Sequence, residues 1–194
     1  MKIGAIDFES EIDLIRSIRD SHSEKALTIR LDANGAFSVP EAAYKLEKLS
    51  KFGIHSIEQP IKAGQWNEMA HLCKQSEIPI ALDEELIGVQ DSEEVLETIR
   101  PAYIILKPSF LGGLGATKQW INLANEKKIG WWITSALESN VGLNAIAQFT
   151  YTLNNKMPQG LGTGGLYTNN FDCPLEIKKG QLVYVKERNW EFKL

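Results

Sequence analysis

Cysteine is scarce in this chain of 194 residues: only Cys73 and Cys173 occur, far apart and in no Cys-x-x-Cys pair. That excludes a disulfide framework and a cysteine-rich zinc site, and predicts two buried free thiols. Histidine is nearly as rare. His22, His55 and His71 share no ligand spacing, and none follows residue 71. No apolar run reaches the roughly 18–20 residues a membrane-crossing helix needs, and the N-terminus lacks a secretory pattern, so the cytoplasm is the expected compartment. The formal charge of −4 arises from 21 basic and 25 acidic residues interspersed along the chain. Without a basic stripe to neutralise phosphates, nucleic acid is not an expected partner.

What is present is a regular series. Four apolar runs end in a charge: Thr28-Ile29-Arg30-Leu31-Asp32, His55-Ser56-Ile57-Glu58, Ile80-Ala81-Leu82-Asp83 and Ile104-Ile105-Leu106-Lys107. The terminal residues are spaced by 26, 25 and 24 positions. Each step accommodates one strand, one helix and two loops, which predicts a parallel sheet. In a closed (β/α) barrel such strand ends converge on the face where active sites lie.

The intervening sequence supports this alternation. Helices are predicted over Phe8–Ser21, after a Ser38 cap with Pro40 and Glu41 in the first turn, over Trp66–Gln75, and from an Asp91-Ser92 cap to Ile99. Further helices are predicted over 116–127 and 141–153. Strands are predicted at Met1–Gly4, over 130–135 and at 160–162, for about seven in all, the first clipped. Residues 1–170 thus read as a partial barrel domain. Residues 171–194 read as a tail whose Leu175–Ile177 and Leu182–Val185 segments form a β-hairpin tight at Gly180. At 194 residues the chain is short of the roughly 250 typical of a barrel.

Considered as chemistry alone, Asp32, Glu58 and Asp83 are costly at the ends of apolar strands unless they meet a cation. Single acids at strand ends are usually solvated; three in register are not explained that way. Oxygen-only ligands favour Mg²⁺ or Mn²⁺ over zinc. Lys107 ends the fourth run, and Lys2 lies on the first short one. A lysine beside a cation has its charged form disfavoured and becomes a candidate base for removing a proton next to a carboxylate. The glycines of 112–115 and 162–165 supply loop freedom, and Trp131-Trp132 reads as core packing.

Several segments together resemble the enolase superfamily, within it the muconate-lactonizing subgroup. They are Lys2-Ile3-Gly4, Leu31-Asp32-Ala33-Asn34, Ile57-Glu58-Gln59-Pro60, Leu82-Asp83-Glu84, Leu106-Lys107-Pro108 with Gly112-Gly113, and Ser135-Ala136-Leu137-Glu138-Ser139. The resemblance implies an α/β fold, a (β/α)7β TIM-like barrel, here lacking its first strand and the N-terminal capping domain. It implies Asp32, Glu58 and Asp83 as Mg²⁺ ligands, Lys2 as base and Lys107 as the opposing lysine. Arg30, Asn34, Glu84, Ser135 and Glu138 would surround the substrate. Superfamily sites pair a Lys or His base with one or two Mg²⁺ ions, so this combination belongs to the family rather than to the spacing.

The implied reaction is dehydration of a small carboxylate: Lys2 removes the α-proton, an enediolate forms, and the same lysine protonates the departing hydroxide. Racemisation of succinylated amino acids uses the same two lysines and is the alternative. Dipeptide epimerisation is disfavoured, because Leu161-Gly162-Thr163-Gly164 stands where those relatives carry Asp-x-Asp. The first lysine of the family's Lys-x-Lys would precede Met1. A separate capping domain or a second copy of the chain is the expected protein partner, with a non-catalytic fragment as the reading from another class.

Overall fold

The computed structural model describes residues 1–192, which form two compact units. The first comprises Met1–Ile104 and Leu123–Gly130, the second Ile105–Asn122 and the chain from Trp131 onward. Among the described residues, no helix is long and apolar enough to cross a membrane.

In the first unit, strands β1 (Ile29–Asp32), β2 (Ile54–Glu58), β3 (Ile80–Leu82) and β4 (Tyr103–Leu106, ending in the second unit) alternate with helices α1 (Phe8–Ser21), α2 (Val39–Ser50), α3 (Trp66–Gln75) and α4 (Ser92–Ile99). The strands pair in parallel and in sequence order. Each helix turns an apolar stripe inward: Ile12 and Ile15 on α1, Ala42, Leu46 and Leu49 on α2, Met69 and Leu72 on α3, and Val95, Leu96 and Ile99 on α4. Leu31, Ile57, Ile80 and Leu82 from the sheet are buried as well. Asp7 and Asp91 cap α1 and α4 through their carboxylates. Ser38 begins α2 as expected, but its hydroxyl donates to the Glu41 carboxylate instead of capping the backbone.

The predicted strand at Met1–Gly4 is reduced to a single parallel bridge, Lys2 to Asp32. Glu11 holds it in place. This acid is buried, and its Oε1 accepts from the backbone N–H groups of Gly4 and Ala5 at 2.5 and 3.2 Å. A buried carboxylate so satisfied costs little and anchors the segment that carries Lys2.

The second unit carries the last residues of β4, helix α6 (Asn140–Thr152) and most of β5 (Gly130–Ile133), next in strand order to β4. Helix α5 (Leu114–Glu126) starts two residues before its predicted position. Trp131 and Trp132 are both buried, as expected of core. The predicted strand at 160–162 is one bridge, Thr134 to Gly160. The hairpin is present as β6 (Leu175–Lys178) and β7 (Gln181–Tyr184), antiparallel, with Lys179 and Gly180 both at positive φ. Two successive left-handed residues are what a two-residue hairpin turn requires. Both cysteines are free but only half-buried, which corrects the expectation of buried thiols.

Candidate active site

Parallel pairing sets two of the acids side by side. Asp32 and Glu58 are register partners at the downstream ends of β1 and β2, and Glu58 pairs in turn with Ala81, two residues before Asp83. Asp83 is the first residue after β3 and is buried. The first unit therefore presents three acids on three successive strand ends.

Lys2 lies directly against this row. Its Nζ donates to Asp32 Oδ2 at 2.5 Å and to Asn34 Oδ1. Asp32 Oδ1 accepts from the Asn34 backbone N–H at 3.0 Å, and Asn34 Nδ2 donates to Glu84 Oε1 at 3.0 Å. A continuous chain thus runs from Asp32 through Lys2 and Asn34 to Glu84. The hydrogen bond to Asp32 holds the Lys2 ammonium above its ordinary pKa against the opposing effect of burial, with the charges of Asp32, Glu58 and Glu84 adding to it. The nearest charges to Lys2 are carboxylates, and they favour its ammonium form.

Arg30 sits two residues before Asp32 on β1, half-buried, and desolvation lowers its guanidinium against the opposing influence of Tyr103. His55 stacks on the Tyr103 ring at 5.2 Å, and burial followed by the Arg30 charge pushes its imidazole below the ordinary histidine value.

The donor chemistry of this row suits a hard dication: carboxylate oxygens only, from adjacent strand ends. Glu84 Oε2 is buried and has no hydrogen-bond partner, an orphaned acceptor at the edge of the same cluster. Such an atom fits a site meant to meet a positive group. The side chains as they stand do not converge, however: among the described residues no three His, Cys, Asp or Glu side chains form a group that could hold a metal ion. The backbone supplies the placement, while Asp32 is turned toward Lys2 and Asn34.

In the second unit, Lys107 follows β4 directly and is half-buried. Ser135 and Glu138 follow β5, and both are engaged. The Ser135 hydroxyl lies 2.5 Å from Thr163 Oγ1, and Glu138 accepts from Ser109 Oγ and from the Ala136 backbone N–H at 2.9 Å. A cavity of about 1130 Å³ in this unit lies between α6 and the hairpin, lined by Gln148, Tyr151, Leu161, Ile177 and Tyr184 among others. None of the nominated residues lines it.

Two further residues of this region, Gln59 and Glu85, are not marked as site residues by the sequence pattern. Both are buried, Gln59 completely; Gln59 Oε1 accepts from the Asp83 backbone N–H, and Glu85 Oε2 accepts from Gln59 Nε2. Their local signal is position alone: Gln59-Pro60 directly follows a strand-end acid, and Glu85 ends an Asp-Glu-Glu run. Nothing in the sequence beside Asp83 and Glu84 marks Glu85 as buried; the fold turns it inward.

A strand-end array of this kind on parallel β/α units defines an enolase-type α/β domain, and the Enolase C-terminal domain-like family model matches residues 1–188: the chain belongs to the enolase superfamily. Among individual proteins it is similar to the o-succinylbenzoate synthase of Desulfotalea psychrophila, 58% identical over 184 residues, which cover 94% of this chain and 50% of that protein. The crystal structure of MenC from the same organism superposes with a TM-score of 0.90 at 56% identity, covering 93% of this chain and 51% of that one. An N-succinylamino acid racemase of Thermus thermophilus is 30% identical over 132 residues, covering 68% of this chain and 35% of that protein. The chain spans about half the length of the curated relatives it matches.

Proposed function

We propose that this chain carries the catalytic half of a magnesium-dependent dehydratase, an o-succinylbenzoate synthase. It would convert a succinyl-hydroxycyclohexadiene-carboxylate to o-succinylbenzoate, a step of menaquinone biosynthesis. The observation that carries the reading is the register pairing of Asp32 with Glu58, with Asp83 next in line and Lys2 against the first of them. The 58% identity to a protein named for that reaction supports the choice of substrate.

Asp32, Glu58 and Asp83 would hold the dication, with Mn²⁺ as a substitute. When bound, it offsets negative charge that develops on the substrate carboxylate as the α-proton leaves. Lys2 removes that proton through Nζ. The C–H electron pair becomes the new C=C bond, the C–O bond to the hydroxyl breaks, and Lys2 returns the proton to the leaving hydroxide as water. Atoms and charge balance without an oxidant. Lys2 accepts a proton only when neutral, and its contact with Asp32 favours the charged form. Engagement of the Asp32 carboxylate elsewhere is therefore a condition of the step. Lys107 supplies a fixed positive charge for the anionic intermediate. Asn34, held in turn by Glu84, orients Lys2 and Asp32.

Mass analysis of the substrate incubated with this chain and Mg²⁺ tests the reading: loss of one water is expected. The same incubation in deuterium oxide with an N-succinylamino acid separates the second reading, favoured by the racemase likeness, because α-deuterium without dehydration would mark racemisation.

A further inference from the structure

Gln59 is fully buried, stands at a φ of 39°, and engages every one of its polar groups. Its backbone N–H donates to Ala81 O at 2.9 Å, and its carbonyl accepts from Gly35 N at 2.7 Å. Its Oε1 accepts from the N–H groups of Asp83 and Glu85 at 3.2 and 3.3 Å. Its Nε2 donates to Ile61 O at 3.0 Å and to Glu85 Oε2 at 3.1 Å. Glu85 in turn accepts from Gly64 N at 2.6 Å.

The amide has only one workable orientation. Both neighbours of Nε2 are acceptors and both neighbours of Oε1 are donors, so a flipped amide would oppose like groups on both sides. The connections reach three loops at once. Gly35 lies three residues past Asp32, Gln59 directly follows Glu58, and the Oε1 partner is the backbone of Asp83 itself. A left-handed backbone at a non-glycine residue is strained and persists where its surroundings over-determine it. An apolar residue of the same shape would leave two buried N–H groups without acceptors, and asparagine is one methylene too short to reach them.

We propose that Gln59 is a positioning residue: its buried amide, locked by Glu85, sets the relative placement of the strand ends that bear Asp32, Glu58 and Asp83. This rests on the dication-dependent reading of those three acids. It assigns the Gln-Pro that follows Glu58 a role beyond filling the core.

The test uses Mn²⁺ as the probe, its free concentration read by electron paramagnetic resonance against the 194-residue chain. Gln59→Met is expected to weaken Mn²⁺ binding roughly 10–100-fold, the range typical of residues that orient metal ligands. Backbone amide exchange at Asp83, Glu85 and Gly35 should accelerate alongside it. Met69→Ala, which truncates a fully buried side chain on α3, supplies a destabilised control that should keep the parent affinity. Should Gln59→Met fail to fold, Glu85→Gln decides the matter: it spares both Oε1 contacts, and a several-fold loss of Mn²⁺ affinity is expected. Parent-like Mn²⁺ affinity in a folded Gln59→Met or Glu85→Gln chain overturns the positioning role while leaving the proposed function standing. A parent chain that binds no Mn²⁺ overturns both.

Discussion

Lys2 Nζ lies 2.5 Å from Asp32 Oδ2, across the single bridge that joins the N-terminal segment to β1. The lysine side chain is largely exposed and the aspartate mostly covered, at 70% and 19% of their full accessibility. The base and one ligand of the proposed site are thus already paired, and the reaction needs that pair separated.

Replacing the acid tests this coupling directly. In Asp32→Asn, Lys2 loses the hydrogen bond and charge that raise it, so its pKa should move down toward the ordinary lysine value. A nuclear magnetic resonance titration of the Lys2 side chain checks the direction; an unchanged or higher value contradicts the pairing.

His55 predicts a pH dependence of stability. Its folded pKa is depressed by burial and by Arg30, so the unfolded chain binds the proton more readily. Stability from this group is complete above the ordinary value near 6.5 and is lost as pH falls through the folded pKa. The melting temperature should therefore drop on acidification from about pH 7 to pH 5. His55→Phe, which keeps the stack on Tyr103, should flatten that part of the profile.

Much of this architecture is legible in sequence because it rests on local rules. The spacing of Asp32, Glu58, Asp83 and Lys107 follows from one strand and one helix per step, and the Asp91 cap and the Lys179-Gly180 turn follow from single-residue preferences. What sequence could not supply was partnership across space. Nothing local distinguishes Glu85, buried against Gln59, from Glu84 beside it. The short strands at Met1–Gly4 and 160–162 have the right residues, yet each keeps only one bridge.

Gly35 should tolerate no side chain. Its φ is 70°, and an added Cβ would come within 3.0 Å of Lys62 Cα, a backbone atom with little freedom to retreat. Gly35→Ala is expected to cost about 1–3 kcal/mol of stability in urea unfolding, with the slope unchanged. Parent-like stability would contradict the assigned backbone conformation.

Cys73 should be a slow thiol. Desolvation of this half-buried thiol pushes its pKa up to about 12, leaving very little thiolate at pH 8. Alkylation of Cys73 in the folded chain should run at least about a hundredfold slower than in the urea-unfolded chain, read by peptide mass analysis. Comparable rates would place the thiol in solvent.

The central claim, that three strand-end acids and two lysines perform a dication-dependent dehydration, is tested most directly by following the ultraviolet absorbance of the cyclohexadiene substrate. The parent chain and Lys107→Ala are assayed side by side, with and without Mg²⁺. Loss of absorbance that requires both Mg²⁺ and Lys107 is predicted. A folded parent chain that leaves the absorbance unchanged, or a Lys107→Ala chain that matches the parent, contradicts the account.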